Sequence, residues 1–206
     1  AAPQVDPLVA DPASLVDTRI GSPNGGNTFP GAVLPFGMLS WSPEQVRPDP
    51  QRAPDGMRAA APGGYQYDMT RMRGFSLTHL SGTGCRGASG DIPFMPITVP
   101  VTSSPASDVK NEIYGADFEH ANETGTAGFY QVKLASEVNV ELTATMRAGL
   151  GRFTYPAGKP ATMLVRTSDS QLGSSDAHVE IDKATRTITG SVTSGNFCGY
   201  LGTVNR

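Results

Sequence analysis

VNVELTATMR, residues 138–147, sets Val138, Val140, Leu142, Ala144 and Met146 against Asn139, Glu141, Thr143, Thr145 and Arg147. Side chains that alternate in this way fall on opposite faces of an extended chain, so this stretch is a strand with one face in a core. Working outward, 129–135 precedes it across a short turn, and 151–155, 161–167, 177–182 and 187–192 repeat the same strand-and-turn rhythm. Strands joined in series by short connections predict an all-β fold, an antiparallel β-sandwich of supersandwich-like form. The segment 197–206 begins like one more strand, and its lack of a closing turn reads as a chain cut inside a larger protein.

The first half is punctuated differently. The chain holds 24 Gly and 17 Pro, more than a helical domain tolerates, because Gly costs backbone entropy and Pro lacks a donor. Asp11 and Pro12, followed by Leu15, Val16, Ile20 and Gly21, predict one short helix that Asp11 caps and Gly21 ends. GSPNGGNTFPG at 21–31 predicts a shaped loop that leads into the apolar run 32–41. The stretch 42–64, with Pro43, Pro48, Pro50, Pro54 and Pro62, reads as an excursion over the surface. After it come a strand at 74–80, a glycine-rich turn SGTGCRGASGD at 81–91, and an extended segment 92–101 whose three prolines suit a sheet edge or a loop.

A chain of 206 residues fits one large all-β domain, and 1–206 is taken as a single domain. With 16 basic and 19 acidic residues the formal charge is −3, and no run of Lys or Arg is dense enough to track a phosphate backbone, which argues against nucleic acid as a partner. No stretch approaches the roughly 20 apolar residues of a membrane span. Ala1-Ala2-Pro3 resembles what remains after signal peptidase cuts beyond small residues, so the chain is expected to be secreted or extracytoplasmic. Cys85 and Cys198 suit either one disulfide outside the cytosol or two buried thiols. Their spacing makes no zinc site, and Asn122-Glu123-Thr124 is a glycosylation sequon.

Three segments together carry a resemblance: VDTRIGSPNGGNTFPGAVLPFGMLSWSPE at 16–44, GGYQYDMTRMRGFSLTHLSGTGC at 63–85 and GDIPFMP at 90–96. In this order and spacing they resemble the opening signatures of glycoside hydrolase family 92, and 128–156 is similar to the next hairpin of that family. The resemblance implies a two-domain enzyme in which an amino-terminal β-sandwich packs on an (α/α)6 barrel, with the active site in the seam. That barrel is absent from this chain. The implied activity is that of an exo-acting, inverting, calcium-dependent α-mannosidase that removes terminal α-linked mannose from glycans or mannosyl phosphodiesters. Its acid, its base and most ligands of its Ca2+ lie in the barrel. The implied partners of this chain are therefore α-mannoside glycans and the carboxy-terminal catalytic domain.

The residues agree with that division of labour. Inversion needs two carboxyl groups held roughly 6.5–9.5 Å apart across a sugar, and Asp68, Asp91, Asp117 and Glu119 have no spacing that sets such a pair. No catalytic residue and no metal ligand is assigned within the chain. Its contribution is shape and hydrogen bonds, because glycine-rich turns let main-chain polar groups approach a hydroxylated ring without a Cβ in the way. The candidate substrate-binding residues are Asn27, Thr28 and Phe29 in one loop and Gly82, Thr83, Gly84 and Cys85 in the other. Phe29, Tyr65 and Tyr67 are the candidates for stacking on the apolar face of a pyranose.

Each has a plainer reading. SGTGC at 81–85 equally makes a tight structural turn, and Asn27 suits an Asx-turn within its own loop. His79 reads as a hydrogen-bonded structural residue, His120 and His178 as solvent-exposed, Trp41 as core, and Asp91 as an anchor for backbone amides. The chain also departs from the family pattern. RAAAPGGYQY at 58–67 stands where many members carry a WxGCSGY-like element, so a preference for α-1,2 linkages does not transfer. The alternative is a free-standing carbohydrate-binding module, although aromatics make up only 7% of the chain and mostly alternate into strands. A structural adhesion domain would leave both glycine-rich signatures unexplained.

Overall fold

The computed structural model describes residues 8–25, 27–48, 57–59, 62–82, 84–85, 90–102, 111–171, 174–200 and 204–205. Along the chain lie β1 (Ala32–Val33), β2 (Ser40–Pro48), β3 (Met57–Ala59), β4 (Arg71–Ser76), β5 (Phe94–Ile97) and one helical turn, α1 (Asn111–Tyr114). Then follow β6 (Ala116–Thr126), β7 (Phe129–Leu134), β8 (Asn139–Ala144), β9 (Gly149–Thr154) and β10 (Thr162–Val165). The last elements are β11 (Ser174–Asp182), β12 (Thr187–Gly195) and β13 (Val204–Asn205). The fold is all-β, and every pairing among the described strands is antiparallel.

Ten strands form one sheet whose main path runs β1-β2-β4-β6-β7-β8-β9, with β3 beside β2 and with β5 linking β4 to β10. β11, β12 and β13 form a second sheet. The alternation of 138–147 acts as expected up to Ala144, where β8 ends: Val138, Val140 and Leu142 are fully buried, Val140 sits between Val132 of β7 and Phe153 of β9, and Met146 is exposed in the turn that follows. The large sheet curves so that β1 and β2 pack against β8. Trp41, Phe75, Tyr130 and Leu142 therefore share one apolar core with Met72, Met95 and Leu164. Burying each such side chain stabilises the fold by about 1.5–3 kcal/mol, and Trp41 also donates its indole N–H to the Phe75 carbonyl at 3.1 Å.

Several local expectations fail for identifiable reasons. The helix at 11–21 is a single 3₁₀ turn, Pro12–Leu15, and Asp11 makes no side-chain cap. Leu15, Val16 and Ile20 are exposed, so no packed face stabilises a longer helix. The stretch 42–64 does not begin on the surface, because residues 42–46 belong to β2 and are buried. β2 pairs with β1 up to Trp41 and with β3 from Val46, so between them it has β4 alone as a neighbour. A bulge between Glu44 and Gln45 interrupts that pairing, the kind of place where Pro43 is tolerated in a sheet. The strand expected at 74–80 spans Arg71–Ser76, and 197–199 is a 3₁₀ turn rather than a strand. Cys85 and Cys198 are joined in a disulfide, with Cα atoms 4.8 Å apart.

Candidate functional site

The loop at 21–31 is shaped by its own backbone. Gly21, Asn24 and Gly25 all take positive φ, the region that glycine enters freely and asparagine more readily than most. The Thr28 hydroxyl donates to the Ile20 carbonyl at 2.8 Å and the Tyr67 amide to the Ser22 carbonyl at 3.1 Å, which ties the loop to its base. The Asn27 amide reaches the Gly21 carbonyl at 3.4 Å, and the Asn27 side chain stands exposed.

The second glycine-rich turn meets this loop directly. The amide of Gly82 donates to the Asn27 carbonyl at 2.5 Å. A Cβ on Gly63 would lie only 3.0 Å from the Thr28 carbonyl oxygen. Residues 27–29 and 81–82 therefore form one continuous surface over the buried turn at 63–64. Gly82 and Gly84 have φ of +76 and +64, and a Cβ on either would meet none of the described residues, so glycine serves conformation here. Cys85 is committed to its disulfide, which leaves the backbone as its polar contribution. Thr83, the remaining candidate, lies outside the described residues.

Beside this surface opens a cavity of ≈ 710 Å³ lined by Phe29, Val33, Phe36, His79, Leu80 and Ser81, among others. The rings of Phe29 and His79 lie 5.0 Å apart. His79 is buried, with Nδ1 2.8 Å from the Gly63 carbonyl and Nε2 2.7 Å from the Ser76 hydroxyl. A carbonyl only accepts, so Nδ1 carries the proton and Nε2 accepts from Ser76. Burial holds the ring neutral and pushes its pKa down to about 4. Such a histidine braces the 63–64 turn and stays neutral near neutral pH.

Of the two further stacking candidates, Tyr65 is withdrawn from any ligand and Tyr67 is half-buried. Tyr65 is fully buried and donates to Glu123 at 2.8 Å. One face of Tyr67 is covered by His120, with ring centroids 4.0 Å apart and planes 7° apart. His120 is accordingly half-buried rather than solvent-exposed, with Nδ1 2.8 Å from the Glu123 carboxylate and Nε2 2.6 Å from the Tyr67 carbonyl. Glu123 also accepts from Tyr130 at 2.7 Å. His178 is exposed and Trp41 buried, as read from the sequence.

Beneath the joined loops lies a set of buried polar groups that sequence reasoning missed. Glu44 is fully buried, and burial pushes its carboxyl up to about 7 against the opposing pull of Arg73. Gln171 reaches its Oε1 at 3.5 Å and the Pro62 carbonyl at 3.1 Å. Gly64, at φ +87, closes over the other oxygen, and a Cβ there would collide with the carboxylate. Arg73 pairs with Asp169, whose Oδ2 is also 3.6 Å from Arg166. No spacing in the sequence pairs these residues, because their partners come from distant parts of the chain.

The other candidate carboxylates are engaged by neighbouring groups. Asp117 pairs with Arg71 at 3.0 Å, Asp68 accepts the Asn24 amide at 3.3 Å, and Asp91 accepts the Thr78 hydroxyl at 2.8 Å rather than backbone amides. Among the described residues no group of three or more His, Cys, Asp or Glu could hold a metal ion. The site therefore offers walls, main-chain polar atoms and an aromatic face.

A family model described as the glycosyl hydrolase family 92 N-terminal domain matches residues 15–205. An uncharacterised secreted glycosidase of Arthroderma benhamiae is 27% identical over 181 residues, which cover 85% of this chain and 22% of that protein. The family GH92 α-mannosidase BT3965 of Bacteroides thetaiotaomicron superposes with a TM-score of 0.69 at 30% identity, over 88% of this chain and 24% of its own. That protein has also been solved in complex with mannoimidazole. The GH92 family glycosyl hydrolase ccman5 gives a TM-score of 0.71 at 26% identity, over 89% of this chain and 24% of that one. The chain thus spans less than a quarter of the length of the relatives it matches.

Proposed function

This chain belongs to glycosyl hydrolase family 92 as an N-terminal domain, and from that membership we propose that it walls a mannoside pocket at a domain seam of a larger α-mannosidase. The intact enzyme is exo-acting and inverting, and it removes terminal α-linked mannose from glycans or mannosyl phosphodiesters. The observation that carries this reading is the hydrogen bond from Gly82 to Asn27, which fuses two motif loops into one surface beside a cavity.

Each group on that surface has a stated task. The Asn27 carboxamide and main-chain groups of the 82–85 turn hydrogen-bond sugar hydroxyls, and the free lone pairs of the Thr28 hydroxyl accept. Phe29, held against His79, covers an apolar patch of the sugar. Proton transfer and water activation are assigned to the carboxy-terminal (α/α)6 domain, which would hold two carboxyl groups on either side of the sugar. Calcium dependence belongs to the intact enzyme. Among the described residues no group of three or more His, Cys, Asp or Glu is gathered to hold the ion, and no step here runs through a metal.

Secretion is part of the proposal. A curated relative is described as secreted, the Cys85–Cys198 disulfide suits an oxidising compartment, and no described helix is long and apolar enough to cross a membrane. A free-standing carbohydrate-binding module fits less well, since Tyr65 is buried and Tyr67 is partly covered. The test is hydrolysis followed by NMR. The intact protein is expected to release mannose from an α-mannoside with the β-anomer appearing first, and this chain alone to release none. Release by the isolated carboxy-terminal domain at the full rate would overturn the proposal.

A further inference from the structure

Phe36 combines two properties that stability alone does not explain. Its side chain is 98% exposed, and its φ of +61 places a bulky aromatic residue in the left-handed region. A residue other than glycine is strained there, and such strain gathers at ligand-binding positions. The turn around it is firmly built. The Gly37 amide donates to the Leu34 carbonyl at 2.9 Å, and the Met38 amide donates to the Met146 carbonyl at 2.8 Å. A Cβ on Gly37 would come within 3.0 Å of the Leu34 oxygen. The ring is thus held out on a rigid post, and its residue lines the same cavity as Phe29, Leu80 and Ser81.

We propose that Phe36 is a specificity-determining residue of the mannoside pocket, with its ring as a platform for the apolar C–H face of a pyranose. The inference rests on the reading of this domain as a pocket wall. The cavity carries both chemistries that a hexose presents. Phe29 and Phe36 supply apolar planes, while Thr18, Ser40 and Ser81 supply polar atoms around them. A pyranose satisfies both at once, since its hydroxyls and its C–H faces point in different directions.

The experiment uses the intact protein with Phe36→Gly, Phe36→Asn and Phe36→Tyr, read by melting temperature and by KM and kcat on an α-mannoside. Gly and Asn accept left-handed backbone, so both variants are expected to melt at or above the wild-type temperature while KM rises about tenfold. Phe36→Tyr keeps the platform and is expected to stay within about twofold of the wild-type KM. A lower melting temperature in Phe36→Gly and Phe36→Asn would mean that the ring packs against another domain, which overturns the proposal. An unchanged KM in both variants, beside a normally active wild type, overturns this proposal alone. A wild type that neither binds nor cleaves α-mannosides overturns the pocket-wall reading and this inference with it.

Discussion

Gly82 donates its amide proton to the carbonyl oxygen of Asn27 across 2.5 Å, and two loops far apart in the sequence become one wall. Below them His79 ties Gly63 to Ser76, and Glu44 lies against Gly64. The wall therefore rests on buried polar groups as well as on the sheet.

Two glycines with similar backbones should respond differently to alanine. Gly82→Ala meets no atom of the described residues and strains a φ of +76, so a loss of about 1 kcal/mol is expected. Gly64→Ala strains φ +87 and also drives a methyl group into the Glu44 carboxylate and the His79 ring. About 3 kcal/mol or more is expected there. Urea denaturation of the two variants checks the difference, and equal losses would refute the packing described around Gly64.

The Cys85–Cys198 disulfide closes a loop across a sequence separation of 113. Chain-entropy arguments give about 4–5 kcal/mol for a loop of this size, with measured values often smaller. Replacing both cysteines by serine should lower the denaturation midpoint accordingly. It should also speed amide exchange in the 81–85 turn, which the bridge anchors. Unchanged exchange there would separate the bridge from the site.

The pH dependence of stability contains two opposed contributions. Glu44 titrates near 7 in the fold against 4.5 as its ordinary value, so its contribution is complete below pH 4.5 and is lost as pH rises through about 7. His79 moves from 6.5 down to about 4, so its contribution is complete above pH 6.5 and is lost as pH falls towards 4. Between those values the slopes largely cancel. Glu44→Gln should leave stability rising with pH from 4 to 6.5, and His79→Gln should leave it falling from 4.5 to 7, each by on the order of 1 kcal/mol per pH unit. Melting curves across that range check both signs.

What the sequence reveals depends on where a residue finds its partners. β8 was legible because alternation at 138–147 is a local signal for one-sided burial. β2 was not, because Glu44 and Gln45 look like surface residues until Gln171, Gly64 and Met69 arrive from elsewhere in the chain. β6 escaped notice for a similar reason. A bulge between Phe118 and Glu123 breaks its alternation, and its buried Glu123 is sustained by Tyr65, Tyr130 and His120. The two site loops were legible as glycine-rich motifs, while their junction was not, since a main-chain hydrogen bond leaves no trace in side-chain identity. Phe36 was hidden because the apolar run 32–41 reads as core until the turn at 34–37 lifts the ring into solvent.

The most direct test is a crystal structure of the intact protein with an unreactive mannose mimic bound. The account predicts sugar hydroxyls within hydrogen-bond reach of the Asn27 carboxamide or of main-chain groups in the 82–85 turn, with the sugar ring near Phe29. A mimic seated in the carboxy-terminal domain without touching either loop would contradict it.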